Sequence, residues 1–166
     1  MADATASSNK LEFLNELKSV NLNDSAEKII RSGGKTGRQE SYKQALFELS
    51  QSFEDRFVDA VEAAFNLHPS QSKKVRYKKD RIRVFKQHDI DYLTIDGVET
   101  AQILAQIAQA IHYDDAIVSK DLNDSFPFWK EGYPMVQFDN VYKILAEDIQ
   151  VHYQAVLDQL IKYISK

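Results

Sequence analysis

The sequence predicts a predominantly α-helical α+β fold, in which long amphipathic helices pack with a small antiparallel β-hairpin or three-stranded sheet. In several long segments apolar residues recur every three or four positions, as in an α-helix. In residues 75–84 they alternate with basic residues, which is the period of a strand. With 166 residues, three prolines and five glycines, the chain has the length of one domain, and we expect residues 10–166 to form a single globular domain.

The N-terminal part of the chain predicts a tail and two short helices. Residues 1–9 are small and polar and are expected to form a flexible tail. Leucines at helical spacing in residues 10–20 predict the first helix. Capping residues at positions 23–25 predict the start of a second helix. That helix is expected to end at Gly33 and Gly34, because adjacent glycines disfavour a helical backbone.

The strongest helical pattern runs from Gln39 to Leu67. Its apolar residues step by three and four positions and form one broad stripe: Tyr42, Leu46, Leu49, Phe53, Phe57, Val61 and Phe65. We expect this stripe to be buried against the C-terminal helix. Pro69 is expected to end the helix, because proline has no N–H to donate and restricts the residue before it.

A change of period then predicts the β-hairpin. Apolar and basic residues alternate in residues 75–77 and again in residues 82–84, with residues 78–81 as the connecting loop. A third strand is predicted over residues 92–95. The alternation would turn four side chains inward: Val75, Tyr77, Ile82 and Val84.

The second half of the chain predicts two helices separated by an irregular segment. The first helix, residues 98–111, is apolar on most sides, which is typical of a central helix or of one in a subunit interface. Residues 113–136 are expected to be irregular, since prolines and aromatic residues mark turns there. Apolar residues at helical spacing predict the last helix over residues 138–164.

Charge is distributed unevenly along the chain. Residues 73–86 contain eight basic residues and one acidic residue, a net charge of +7, whereas the rest of the chain carries −11. A two-stranded basic ribbon can follow a phosphate backbone, so this segment predicts nucleic-acid binding, with Tyr77 and Phe85 able to stack on bases if they face outward. Alternatively, these basic residues are solvated or paired with acidic helices. The predicted nucleic-acid-binding residues are Lys73, Lys74, Arg76, Lys78, Lys79, Arg81, Arg83 and Lys86.

A second candidate site is the aromatic segment of residues 126–133. Aromatic residues dominate the energetics of protein interfaces, so an exposed aromatic loop would anchor a partner chain. The same residues could instead pack onto the core, and the pattern does not distinguish the two. The predicted partner-binding residues are Phe126, Phe128, Trp129 and Tyr133.

The sequence therefore predicts a non-catalytic binding protein that contacts nucleic acid or another polyanion through a basic β-hairpin. The alternative is a protein–protein adaptor or assembly subunit, including a homo-oligomer, that uses helix faces and the aromatic loop. An enzyme of unknown class is third. We predict no catalytic residues, no metal site and no cofactor, because no motif pairs a nucleophile with its base and the calcium-loop and P-loop patterns both fail.

Two patterns would support the enzyme. Arg83 and His88 have the Arg-x4-His spacing that resembles the nuclease motif of HEPN ribonucleases, where both side chains lie on a helix and reach one phosphate. Here Arg83 lies in the alternating segment, so the two need not converge. His–carboxylate clusters at residues 88–91 and 112–115 hold groups that could bind a metal, although acidic turns of this kind are common.

The composition also bears on the compartment. The chain contains no cysteine, which excludes disulfides and thiolate metal sites and favours a cytoplasmic protein. The first residues have neither the basic start nor the apolar stretch of a signal peptide. No apolar run approaches the roughly 18 residues that a membrane span needs, so no membrane association is expected.

Overall fold

The computed structural model describes the backbone of residues 2–166 and the side chains from Ser8 onward. The described backbone forms eight α-helices, with one 3-10 helix over Lys74–Arg76 and another over Tyr92–Thr94. The α-helices are α1 (Ala2–Lys18), α2 (Asp24–Ser32), α3 (Arg38–Phe65), α4 (Pro69–Ser72), α5 (Lys78–Gln87), α6 (Val98–Tyr113), α7 (Lys120–Ser125) and α8 (Phe138–Ile164). None of these helices has both the length and the apolar composition needed to cross a membrane.

The predicted α+β fold is wrong, because the described chain is all-helical. Residues 73–86 form a 3-10 helix followed by α5, where the β-hairpin was expected. The predicted third strand over residues 92–95 is a 3-10 helix and its C-cap. Within residues 2–166, β-type pairing is limited to an isolated antiparallel bridge between Ile117 and Pro134.

A buried arginine explains why the apolar residues of α5 do not show a helical period in the sequence. The residues of α5 that the structure buries are Arg81, Val84 and Phe85, which are spaced i, i+3 and i+4 as on one face of a helix. Because the first member of this stripe is charged, only the alternation of Ile82 and Val84 was visible in the sequence. Lysine, arginine and glutamine, which make up much of α5, also favour helix intrinsically.

The other predicted helices are confirmed. The long helix predicted over residues 39–67 is α3, the helix predicted over residues 98–111 is α6, and the last helix is α8. α3 ends at Phe65, before Pro69, and the residue that follows it has a φ of 53°. Pro69 instead begins α4. The middle of the α3 stripe is buried as expected: Leu46, Leu49, Phe53, Phe57 and Val61.

The N-terminal and loop predictions need smaller changes. α1 begins at Ala2, so part of the segment predicted as a tail has helical backbone. The side chains of residues 1–7 lie outside the described residues, and the flexible tail stays a prediction. α2 is confirmed. The segment of residues 113–136 is mostly irregular, as expected, but contains the short helix α7.

Contacts divide the chain into two compact units. Unit 1 consists of Met1–Asn21, Phe53–Val98 and Val151–Lys166, and unit 2 consists of Leu22–Ser52 and Glu99–Gln150. Both α3 and α8 contribute residues to each unit. The basic segment therefore belongs to unit 1 and the aromatic loop to unit 2. A single globular domain stays a prediction.

The core of unit 1 is rich in aromatic side chains. The ring of Phe57 lies 5.9 Å, between centroids, from the rings of both Phe85 and Tyr92. All three side chains are buried. These contacts pack α5 and the second 3-10 helix against the C-terminal part of α3, and they set the position of the basic segment.

Candidate polyanion-binding surface

The basic residues of the segment 73–86 lie in different environments. Arg81 is buried and Arg76 is half-buried, whereas Arg83 and all five lysines are exposed. This difference matters for binding, because only an exposed cation can contact a ligand without disturbing the fold.

Arg76 and Arg83 form ion pairs. The guanidinium of Arg76 lies 3.2 Å from Glu54 Oε2 and 3.0 Å from Asp55 Oδ1, and so ties the first 3-10 helix to α3. The hydrogen bond to Asp55 is the main reason that the pKa of Arg76 is raised above its ordinary value. Arg83 is exposed and pairs with Asp80 one turn earlier in α5, at 2.8 Å.

Arg81 is a buried cation, with 5% of its surface exposed. Its Nε donates to the backbone oxygen of Val75 at 2.6 Å. Its guanidinium carbon lies 4.2 Å from the ring centroid of Phe57 and 5.6 Å from that of Phe53, within the range of cation–π attraction. Arg81 therefore fastens the first 3-10 helix to α5 from inside the fold.

A buried chain of hydrogen bonds continues beside Arg81. The hydroxyl of Tyr92 lies 3.1 Å from His152 Nε2, and His152 Nδ1 lies 2.7 Å from the backbone oxygen of Asp96. Because a carbonyl only accepts, Nδ1 carries the proton and Nε2 accepts from Tyr92. Burial raises the pKa of Tyr92, and the nearby Arg81 partly opposes that shift. The side chains of Tyr92 and His152 are both buried in the core, so these hydrogen bonds stabilise the fold and are not accessible to a ligand.

We call the surface formed by Tyr77 and the five exposed lysines of the segment the basic surface: Lys73, Lys74, Tyr77, Lys78, Lys79 and Lys86. Tyr77 is 67% exposed, whereas Phe85, the other aromatic residue considered for stacking, is fully buried. Along α5, Lys79, Arg83 and Lys86 are spaced i, i+4 and i+7, so they share the face opposite the buried stripe. The structure thus leaves five of the eight predicted basic residues and one aromatic ring exposed within the segment 73–86.

The two residues of the HEPN-like spacing are also separated by this helix. Arg83 lies in α5 and His88 is its C-cap, and residues five apart on a helix point about 140° away from each other. The ring of His88 stacks on Phe65 at 3.9 Å between centroids, and its Nδ1 lies 2.8 Å from the hydroxyl of Tyr163. Desolvation lowers the pKa of His88, partly opposed by Asp89. The structure does not bring Arg83 and His88 to one point.

The other candidate sites do not assemble either. Within the described residues, no group of three or more histidine, aspartate and glutamate side chains is placed to hold a metal ion. The glycines at residues 33–34 follow helix α2 and not a buried strand, so the phosphate-binding context is missing.

The aromatic loop splits into a buried and an exposed part. Trp129 is 2% exposed, and its indole N–H donates to the backbone oxygen of Val136 at 2.9 Å. Phe126 is half-buried against it. Phe128 is 49% exposed and Tyr133 is 65% exposed. Trp129 therefore holds the loop in place, and the surface available to a partner consists of Phe128 and Tyr133.

Known proteins give no further guide to these sites. The chain matches no protein-family model, and neither the curated proteins nor the solved structures contain a chain similar to it. Its function must therefore be inferred from the chemistry and positions of its own residues.

Proposed function

We propose that this protein binds a polyanion, and specifically nucleic acid, through the basic surface. The observation that carries the proposal is that all five lysines of the segment are exposed, while Arg76 and Arg81 make the contacts that hold the segment to the rest of unit 1. Exposed lysines that meet phosphates release condensed counterions, and this release supplies most of the affinity of sequence-independent binding.

The spacing along α5 suits a phosphate backbone. Seven residues of helix separate Lys79 from Lys86 and span about 10 Å, at about 1.5 Å per residue. A nucleic-acid strand in a duplex carries one phosphate per about 3.4 Å of axis, so this face covers roughly three phosphates. Lys73 and Lys74 extend the positive charge toward α4.

The acidic remainder of the chain favours local contact at this surface. Residues 73–86 carry +7 and the rest of the chain −11, so a polyanion is repelled by most of the protein. Because screening at 0.1 M salt acts over about 10 Å, the lysine cluster keeps its own field despite distant acids. We therefore expect a polyanion to contact the protein at this surface in one orientation and not to bind over the whole protein.

Replacing Lys79 and Lys86 by glutamine tests the proposal. In anisotropy titrations, the slope of log affinity against log salt should become less negative by about 1.8 for duplex DNA, or about 1.4 for single strands, since two phosphate contacts are lost. The melting temperature should stay nearly unchanged, because both side chains are exposed.

The matched control replaces Lys120 and Lys130, two exposed lysines of unit 2, by glutamine and removes the same total charge. The control should keep the slope of the unmodified protein. Equal loss in both variants would reduce the interaction to net charge and remove the basic surface as the site. Folded protein that binds neither DNA nor RNA at low salt would end the proposal altogether.

The exposed part of the aromatic loop supports a second candidate, the adaptor or assembly subunit. Backbone hydrogen bonds of 2.9 Å from Val118 N to Tyr133 O and 2.8 Å from Met135 N to Ala116 O hold the loop in a defined shape. A rigid loop that presents Phe128 and Tyr133 loses little entropy when a partner binds. A second copy of this chain is the simplest partner to test.

Alanine at Phe128 and at Trp129 should have opposite consequences. Trp129→Ala should lower the free energy of unfolding by about 3–5 kcal/mol, because a buried ring is removed. Phe128→Ala should leave stability within about 1 kcal/mol but weaken self-association if the loop is an interface. Chemical denaturation and sedimentation equilibrium measure the two effects. A concentration-independent monomer before and after Phe128→Ala would argue against self-association through this loop.

A further inference from the structure

We propose that the polyanion is a single-stranded nucleic acid and that the ring of Tyr77 stacks on one of its bases. The inference rests on the proposed function, because it assigns a class of nucleic acid to the same basic surface. It adds a contact with a base to the phosphate contacts of the lysines. It also makes Tyr77 the residue that lets this surface bind single strands more tightly than duplex.

The first support is the exposure of Tyr77 in the middle of the lysines. Its side chain is 67% exposed, between Lys74 on one side in sequence and Lys78 and Lys79 on the other. Among the described side chains of residues 8–166, none forms a hydrogen bond or ring contact with that of Tyr77. A lone exposed apolar residue is ordinary on a protein surface. An exposed tyrosine with exposed lysines close to it in sequence on both sides has the composition of a single-strand binding site.

The second support is that the backbone under Tyr77 is fixed. Tyr77 N donates to Lys74 O at 3.0 Å, and Arg81 N donates to Tyr77 O at 2.9 Å. Arg81 also holds Val75 O through its buried Nε. Tyr77 is thus presented at the junction of two helices whose positions are set from the core. A ring on a fixed backbone loses less conformational freedom on binding than one on a mobile loop.

The geometry favours a base over other apolar groups. Base–aromatic stacking needs an open face on both partners, and in a duplex the faces of the bases are already covered by their neighbours. A single strand exposes those faces while keeping the phosphates that the lysines require. Lysines on both sides of the ring can contact the phosphates that flank a stacked base. This combination predicts a preference for single strands that a surface of lysines alone would lack.

An anionic membrane fits the same charges less well. Binding in a membrane interface requires an apolar helix face beside the cations. Of the apolar residues of α5, Val84 and Phe85 are buried and Ile82 is half-buried, and within residues 69–87 Tyr77 is the one large apolar side chain that is exposed. One tyrosine provides too little apolar area for insertion, so we assign the surface to nucleic acid and use vesicles as a competing arm of the test.

The test compares Tyr77→Ala and Tyr77→Phe with the unmodified protein. The probes are labelled oligothymidylate and oligouridylate of about 12 nucleotides, within the usual site sizes of about 4–16, and a duplex of equal length. Tyr77→Ala should weaken single-strand binding by about 5- to 150-fold, the effect of losing one stacked base. Tyr77→Phe should retain affinity within about twofold, because the ring face remains. The salt slope should not change in either variant, since no charge is removed.

Tyr113→Ala is the matched control, because Tyr113 is 74% exposed but lies in unit 2, and it should bind like the unmodified protein. Equal affinity for duplex and single strand, or unchanged binding by Tyr77→Ala, would overturn the inference and leave the polyanion proposal standing. Tighter binding to vesicles of anionic lipid than to either oligonucleotide would also overturn it. No binding to any probe would overturn both proposals.

Discussion

Replacing Phe53 by alanine is expected to lower the free energy of unfolding by about 3–5 kcal/mol. Phe53 is 2% exposed, and its ring lies 5.6 Å from that of Phe57 and 5.7 Å from that of His152, between centroids. Alanine would remove these contacts and leave a cavity that the surrounding helices can only partly close. Urea denaturation followed by circular dichroism measures the change.

The control for this variant is Phe13→Ala. Phe13 lies on helix α1 with 40% of its surface exposed, so the same substitution should cost less than about 1 kcal/mol. If both variants unfold at the same urea concentration as the unmodified protein, the stripe of α3 does not carry the stability of the fold.

Arg81→Ala is expected to lower the free energy of unfolding by about 2–4 kcal/mol. Alanine would leave Val75 O without its buried donor, and an unpaired buried carbonyl costs about 1–3 kcal/mol. It would also open a cavity beside Phe57 and remove the cation–π contact. Arg81→Lys should restore only part of the stability, because lysine lacks both the planar guanidinium and its Nε donor.

Arg83→Ala is the control for Arg81, since both are arginines two residues apart in α5. Arg83 is exposed and pairs only with Asp80 among the ion pairs of the described residues, so its replacement should change stability by less than about 1 kcal/mol. Similar effects of the two substitutions in thermal and urea unfolding would contradict the buried position of Arg81. For the same reason, binding experiments should leave Arg81 intact, because a change there would alter the fold.

The long helices were predictable from sequence, because many apolar residues repeat at the helical period over seven turns or more in α3 and α8. The basic segment was not predictable in this way. α5 has only ten residues, and the buried face includes Arg81, which a hydrophobic pattern counts as outward. The alternation of four apolar residues of the segment with basic residues then suggested strands. The burial of Arg81 depends on Val75 O and on the rings of α3, which are tertiary contacts that local periodicity does not contain.

The candidate site was predictable in composition but not in arrangement. The excess of charge in residues 73–86 identified the segment. Which cations stay exposed depended on partners distant in sequence, since Glu54 and Asp55 engage Arg76 from more than twenty residues away. Likewise, Trp129 is buried through its ring contacts with Phe126 and Phe138, and its indole N–H is satisfied by Val136 O; the aromatic composition of the loop does not predict these contacts.

Much of the positive charge of the basic segment is carried by exposed lysines, while Arg76 and Arg81 hold the segment in place, so its charge can be changed chemically without removing those contacts. Acetylation converts an ammonium group into a neutral amide and leaves guanidinium groups unchanged. Acetylated at Lys73, Lys74, Lys79 and Lys86, the segment would change its formal charge from +7 to +3. The contacts of Arg76, Arg81 and Arg83 would persist, so the helices would keep their positions. The affinity of this surface could therefore be graded by amine modification, one lysine at a time, in a protein that remains folded.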